Sequence, residues 1–227
     1  MYKVHEVDQK QKRKGKDVAY VTHPIHVGFI LSKAGASDEL IAAGFLHDVL
    51  EDSAPEAKIT KEMLEQEFGA EVAALVASVS EKNRDLSWHE RKEAALEEIR
   101  QFPHDSLMLK SGDVISNTTE LMSDYEHDGS NTFKRFNAPK EQLIEHAQLV
   151  IKTILEAWPE NPLTSDLANC YVGLDEMKPD MKVTYARSNV SDEAANNLLA
   201  NALKPVFEKA EETYRNSQAK PEEETKE

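Results

Sequence analysis

The sequence predicts an all-α fold. Apolar residues recur at intervals of three and four in the segments between residues 22 and 160, which is the spacing of one helix face. These segments begin at capping residues or proline and end at glycine or proline, as helices do. Lys182 to Tyr185 is the one stretch that fits a short strand. With 227 residues, 40% of them hydrophobic and 30% charged, the chain is long enough for one sizeable core and a modest appendage.

The first two predicted helices have clear boundaries. Pro24 lies in the first turn of a helix, where its missing N–H costs nothing, and Gly35 ends that helix. Ser37 or Asp38 caps the next helix, which continues to about Ser53. We expect this second helix to be continuous, so that residues three and four apart on it share a face.

Three shorter helices follow in the middle of the chain. Thr60 caps one that Gly69 ends, and another starts at once. Ser87, with Glu90 three positions later, forms a capping-box pattern and opens a helix that runs to about Gln101.

The remaining segments complete the predicted bundle. A helix covers residues 106–123, a loop lies at residues 128–131, and Pro139 starts a long helix that Pro159 ends. Its apolar residues form a continuous stripe, which predicts a core position.

The chain is predicted to contain three regions. Residues 1–162 form the main domain, and residues 163–215 form a mostly helical C-terminal extension. Residues 216–227 are rich in charge and predict a disordered acidic tail.

Charge and composition exclude several classes of partner and location. Lys and Arg number 27 against 42 Asp and Glu, a net charge of −15, which argues against nucleic acid as the main partner. No apolar run approaches the roughly 20 residues of a membrane span, and residues 1–16 do not resemble a signal peptide. The single cysteine, Cys170, favours a reducing, cytoplasmic location. A small anionic partner is compatible with this charge if a bound cation and a local basic cluster reverse the field. The sequence predicts no oligomeric state.

Residues 10–16 hold the densest group of basic side chains in this acidic chain. They are either a solvated tail or an arm that binds phosphates or stacks a guanidinium on a base. The group consists of Lys10, Lys12, Arg13, Lys14 and Lys16. Two later basic residues, Arg91 and Lys92, are interpreted as ordinary solvated charges.

Four polar side chains interrupt the apolar pattern of the second helix: His47, Asp48, Glu51 and Asp52. Apolar residues at the same spacing draw this helix towards the core, where carboxylates are costly unless a metal or hydrogen bonds compensate. The alternative is an amphipathic helix whose charged face is solvated.

Two distant residues could complete a metal site. His23 lies at the start of the first helix, and Asp113 lies between Gly112 and Val114, an unusual place for a charge without a partner. Either could instead be structural, His23 as a cap and Asp113 as a buried hydrogen-bonding group, and we interpret His26 as structural or exposed. Together with His47 and Asp48 they make a mixed imidazole and carboxylate set, which suits manganese or iron.

These residues, in this order, resemble the HD-domain metal-dependent phosphohydrolases. Within that family the chain is most similar to the hydrolase domain of the bifunctional alarmone enzymes and to the stand-alone small alarmone hydrolases. The motif joins His-Pro upstream, His-Asp-x-x-Glu-Asp, and Asp-x-x-x-Asn downstream. The matching stretches lie at residues 20–25, 44–52, 67–79, 87–92 and 113–117.

The resemblance implies an HD-domain helical bundle that binds one divalent metal, usually manganese, with iron, cobalt or zinc as alternatives. The implied ligands are His23, His47, Asp48 and Asp113. Glu51 and Asp52 match the pair that orients or deprotonates the attacking water. The implied substrate contacts are Arg13 against the guanine ring, Asn117, Lys14 and Lys110.

The implied reaction is hydrolysis of the 3′-pyrophosphate of guanosine tetra- or pentaphosphate, which releases pyrophosphate and GDP or GTP. The chain departs from the family pattern around Asp113, where Leu-Ala-Asp-Arg/Lys-Leu-His-Asn is replaced by Ser-Gly-Asp-Val-Ile-Ser-Asn at residues 111–117. A basic residue and a histidine are therefore missing. Alternative functions are hydrolysis of another nucleotide or of NADPH, or an inactive nucleotide-binding regulatory module.

Overall fold

The computed structural model describes residues 11–53, 58–82 and 85–178. These residues form helices with no strand among them, so the predicted all-α fold is confirmed. The proposed strand at 182–185, most of the C-terminal extension and the acidic tail lie outside the described residues. The helices are α1 Thr22–Lys33, α2 Asp38–Leu46, α3 Val49–Asp52, α4 Lys61–Phe68, α5 Ala70–Val79, α6 Trp88–Ile99, α7 His104–Asp128, a 3₁₀ helix Gly129–Arg135, α8 Lys140–Ala157 and α9 Thr164–Glu176.

The predicted helix caps are present. Ser37 accepts a hydrogen bond from the Leu40 N–H (3.2 Å) at the start of α2, and Thr60 caps α4. Ser87 and Glu90 form both bonds of a capping box at the start of α6. Local hydrogen bonding therefore decides where these helices begin.

The second helix is not continuous, which corrects the expectation. Helix α2 ends at Leu46, His47 and Asp48 lie in a turn, and α3 is a separate short helix. The His47 ring Nδ1 lies 2.9 Å from the Gly44 carbonyl oxygen, where it competes with the main-chain bond that would continue α2. The break turns the two ligand candidates towards the neighbouring helices.

Helix α7 is the central element and is longer than the expected 106–123. It packs against α1, α2, α5, α8 and α9. Its middle third is largely buried, because these neighbours cover it on several sides. Asp113 lies in this part of the helix and so reaches the centre of the domain.

Two glycines allow α1 and α2 to approach closely. A Cβ on Gly28 would lie 2.4 Å from the Phe45 ring, and one on Gly44 would lie 2.6 Å from the Leu31 side chain. Any larger residue at either position would push the helices apart. The close approach brings His23 at the start of α1 beside His47 at the end of α2.

Helix α9 is the last helix of the bundle along the described part of the chain. It packs on α7 and α8, and Leu167 and Leu174 on its inner face are fully buried. The predicted division of the chain at residue 162 stays a prediction. No helix among the described residues is long and apolar enough to cross a membrane.

Candidate metal centre and active site

Four side chains from three separate elements lie close together, and three of them, His23, His47 and Asp113, each bring one ligand atom within 4.8 Å of the others. The Nε2 atoms of His23 and His47 lie 3.2 Å apart. Asp113 Oδ1 lies 3.4 Å from His23 Nε2 and 3.7 Å from His47 Nε2. Asp48 places Oδ1 3.1 Å from His47 Nε2 and Oδ2 3.6 Å from His23 Nε2. The start of α1, the turn after α2 and the middle of α7 thus converge with nitrogen and oxygen atoms facing inward.

The donor set fits a divalent metal. His47 Nδ1 donates to the Gly44 carbonyl oxygen (2.9 Å), so His47 Nε2 faces the other ligand candidates and can bind a metal that displaces its proton. Ligands bound at about 2.0–2.2 Å around one ion stand about 3–4 Å from each other, which matches the spacing seen here. Two imidazoles with two carboxylates suit manganese, iron or zinc.

The electric field at this point favours positive charge. Burial lowers the pKa of His47, but Asp48 and Asp113 outweigh burial and raise this pKa to about 10. Burial raises the pKa of Asp113, whereas Lys110 and the two imidazoles outweigh burial and hold that pKa well below its usual range. Both carboxylates are therefore ionised and ready to bind a cation.

Neighbours on α7 hold the Asp113 carboxylate on both sides. Lys110 Nζ donates to Asp113 Oδ2 (2.8 Å), and Asn117 Nδ2 donates to Oδ1 (2.6 Å). Lys110 and Asn117, which we expected to contact substrate, thus also orient a ligand candidate. Both also line the cavity in front of it.

Tyr20 is a site residue to which the sequence assigned no role. Its hydroxyl lies within hydrogen-bond distance of Asp48 Oδ2 and of Asp52 Oδ2, the latter at 2.9 Å. Burial and the two carboxylates raise its pKa, so the phenol keeps its proton as a donor. Its position one turn before His23, at the entrance to the same helix, was the available sequence signal.

Glu51 and Asp52, which were expected to orient or deprotonate the attacking water, occupy different positions. Glu51 lines the cavity, and its Oε1 accepts a hydrogen bond from the Glu81 main-chain N–H (2.7 Å). Asp52 is exposed, bonds to Tyr20 and does not belong to the cavity lining. The structure therefore brings Glu51 alone of this pair to the cavity.

The basic arm meets the cavity through Arg13. Arg13 Nη2 donates to Asn117 Oδ1 (2.7 Å), and Nε donates to Glu120 Oε2 (2.8 Å). Burial raises the pKa of Glu120, but Arg13 and Lys16 outweigh burial and lower it to about 2. Lys14 is exposed, lies over the Phe136 ring and does not line the cavity.

A cavity of about 370 Å³ opens in front of the ligand candidates. Three basic residues from α6 and the loop before it, Lys82, Arg91 and Lys92, also line this cavity, together with Glu81 and Glu98. Arg91 pairs with Glu81 (2.9 Å) and Lys82 with Glu98 (3.2 Å), whereas Lys92 forms no ion pair with any described residue. Arg91 and Lys92 are half-buried, not the solvated charges we expected from the sequence. The capping box was the sequence signal for these positions, because it fixes where α6 begins and therefore which turn of the helix holds Arg91 and Lys92.

Comparison with known proteins agrees with this fold. A family model described as HD domain matches residues 2–121. A guanosine-3′,5′-bis(diphosphate) 3′-pyrophosphohydrolase of Haemophilus influenzae is 39% identical over 83 residues, which are 37% of this chain and 12% of that protein. The pyrophosphohydrolase MESH1 of Danio rerio is 34% identical over 119 residues, or 51% of this chain and 63% of that protein. The chain thus spans only part of each of these relatives.

Two solved structures share the architecture. The crystal structure of lmo0812 from Listeria monocytogenes superposes with a TM-score of 0.58 at 28% identity, covering 66% of this chain and 96% of that chain. A metazoan ortholog of SpoT that hydrolyzes ppGpp gives a TM-score of 0.57 at 25% identity, covering 79% of this chain and 91% of that chain.

Proposed function

We propose, since this chain belongs to the HD domain family, that it is a metal-dependent hydrolase of the 3′-pyrophosphate of guanosine tetra- and pentaphosphate. One observation carries the proposal: the ligand candidates His23, Asp48 and Asp113 line a cavity that Lys82, Arg91, Lys92 and Lys110 also line. Relatives that bear this activity in their names support the choice of substrate. The products would be pyrophosphate and GDP or GTP.

The metal we propose is one Mn²⁺ ion, held by His23, His47, Asp48 and Asp113. Iron, cobalt or zinc could occupy the same nitrogen and oxygen set. Such an ion acts as a Lewis acid on phosphoryl oxygen and makes hydroxide available near neutral pH. Lys110 and Asn117 keep the Asp113 carboxylate turned towards it.

We assign Glu51 as the general base that accepts the proton of the attacking water. Its carboxylate lines the cavity and is oriented by the Glu81 N–H, as a general base requires. Asp52 supports the site from outside, because it shares the Tyr20 hydroxyl with Asp48. Tyr20 would then hold Asp48 in place.

The substrate would lie in the cavity. Arg13 and Asn117 are bonded to each other at one end, where a base and ribose could bind. Lys110 lies beside the ligand candidates, and Arg91 and Lys92 line the same cavity, where phosphates would be neutralised. Lys14 would need to leave Phe136 to take part in binding. We also infer a cytoplasmic location, which the lone, buried Cys170 supports.

A substrate panel tests the proposal. Purified protein is stripped of metal, reloaded with Mn²⁺ and supplied with guanosine tetraphosphate, guanosine pentaphosphate, NADPH and other phosphorylated nucleotides. We expect metal-dependent pyrophosphate release from the two alarmones. Release of phosphate from NADPH alone would reject the alarmone assignment, and no turnover of any compound by manganese-bound protein would indicate a binding module.

A further inference from the structure

A chain of hydrogen bonds lies behind His23, on the side away from the other ligand candidates. Ser116 Oγ lies 3.0 Å from His23 Nδ1 and 3.0 Å from His26 Nδ1. His23 and His26 are one turn apart on α1, and Ser116 projects from α7 between them. His23 and Ser116 are 3% and 2% exposed, so water does not compete for their contact. The two histidine rings are the only hydrogen-bond partners of the Ser116 hydroxyl in the part of the chain that the structure describes.

The direction of these bonds follows from proton counting. If His23 Nε2 binds a metal, its proton must sit on Nδ1, which then donates to Ser116 Oγ. The Ser116 hydroxyl has a single proton, and the remaining partner within reach is His26 Nδ1, which must accept it. The chain therefore runs from His23 to Ser116 to His26, and each member fixes the orientation of the one before it.

The two histidine ligand candidates are thus held in different ways. His47 donates to a main-chain carbonyl, which can only accept, so its tautomer is set by the backbone. A serine hydroxyl can donate or accept, so Ser116 alone would leave both tautomers of His23 available. His26 removes that choice, because its Nδ1 accepts the hydrogen bond that the serine hydroxyl donates. Ser116 also occupies the position where the related sequence pattern has a histidine.

We propose that Ser116 and His26 are positioning residues that hold His23 in its metal-binding tautomer. This inference rests on the metal centre of the proposed function but not on the identity of the substrate. Partners behind a metal-bound histidine typically change metal affinity by about 10–100-fold when they are removed. Without these hydrogen bonds, the His23 proton can move to Nε2 and the His23 ring can rotate. Each of these two changes weakens metal binding.

Metal affinity, not activity, tests the proposal. Full-length protein is titrated with Mn²⁺ and the free ion is followed by its electron paramagnetic resonance signal. We expect Ser116→Ala to weaken binding by about 10–100-fold. His26→Phe should also weaken it, since the phenyl ring has a similar shape but cannot accept the hydrogen bond from Ser116. His26→Asn should restore near-native affinity, because its amide oxygen can accept at about the position of Nδ1.

Two controls separate positioning from folding. Ser111→Ala removes another fully buried serine of α7, one that donates to the Leu107 carbonyl oxygen, and should leave the Mn²⁺ affinity unchanged. The double variant Ser116→Ala with His26→Phe should bind no more weakly than Ser116→Ala alone, because His26 acts only through the serine.

The proposal would be overturned by wild-type affinity in Ser116→Ala, or by equal weakening in His26→Asn and His26→Phe. A wild-type protein that binds Mn²⁺ but leaves alarmones intact would reject the proposed function and leave this inference standing. A wild-type protein that binds no divalent metal would overturn both.

Discussion

His23, Asp48 and Asp113, with His47 beside His23 and Asp48, form what we call the metal-facing wall of the cavity; Lys82, Arg91 and Lys92 line it elsewhere and form the cationic wall. The metal-facing wall is held by main-chain and side-chain bonds within the core, including those of His47 to Gly44 and of Asp113 to Lys110. The cationic wall is more exposed: Lys82 pairs with Glu98 at the surface, and Arg91 forms a half-buried pair with Glu81.

This difference separates two tasks. The metal-facing wall is preorganised, because each of its groups is buried or nearly so and bonded to a fixed neighbour. The cationic wall can adjust, since surface ion pairs are worth little and exchange partners easily. We infer that the first wall determines whether the reaction occurs and that the second determines which anion is bound.

The strongest test of the metal-facing wall is Asp113→Asn. The amide has nearly the same shape but no charge, so we expect loss of Mn²⁺ binding and of measurable hydrolysis, because the metal supplies several kcal/mol of transition-state stabilisation. Titration with Mn²⁺ and a pyrophosphate assay check this result. The exposed Asp105→Asn on the same helix is the control. Full activity in Asp113→Asn would remove Asp113 from the ligand set.

Glu51→Gln separates chemistry from metal binding on the same wall. We expect kcat to fall by about 10²- to 10³-fold, within the range for loss of a general base, while Mn²⁺ affinity stays the same. Steady-state kinetics beside a metal titration make the comparison, with Glu145→Gln on α8 as an exposed control. A parallel loss of metal affinity would show that Glu51 belongs to the ligand set instead.

Lys92→Met probes the cationic wall. This lysine has no ion-pair partner among the described residues, and burial lowers its pKa, so an anionic substrate is its natural partner. We expect KM to rise about 10-fold, or about 1.4 kcal/mol, with kcat and Mn²⁺ affinity nearly unchanged. Lys152→Met on α8 serves as the control. A fall in kcat at constant KM would contradict the division of tasks between the walls.

The smallest expected effect is on stability and concerns His146, which contacts Trp88 beside the cationic wall. Burial, then Lys92 and Lys110, lower the pKa of His146 to about 4. The unfolded chain takes up this proton near pH 6.5, whereas the folded chain takes it up only near pH 4. The stabilising contribution is therefore full above pH 6.5 and is lost as the pH falls from there towards 4.

Because His146 is only half-buried, we expect a loss of only about 1 kcal/mol between pH 7 and pH 5. Urea unfolding at both pH values measures it. His146→Phe should reduce this difference in stability between the two pH values. Lys92→Met should reduce it by a smaller amount, because it removes one of the neighbouring positive charges. An unchanged pH dependence in both variants would show that other groups cause it.

Local patterns predicted most of the helices correctly. Ser37, Thr60 and Ser87 cap helices in the structure because a cap is a contact between residues three positions apart. A contact between near neighbours also explains why the expectation of a continuous second helix was wrong. Helix propensity favoured continuity through His47, but the His47 ring bonds to the Gly44 carbonyl and the helix stops.

The sequence by itself named His23, His47, Asp48 and Asp113 as candidates, and the order of these residues gave the resemblance that implies them as metal ligands. It also determined the helical class, since the period of the apolar residues is written along the chain. The roles of Tyr20, Ser116 and Lys92 were decided by tertiary structure alone. Each depends on which residues of other elements it meets. For Tyr20 and Ser116 these contacts follow from the close packing of α1, α2 and α7, and for Lys92 from the place of α6 beside the cavity, neither of which a local pattern contains.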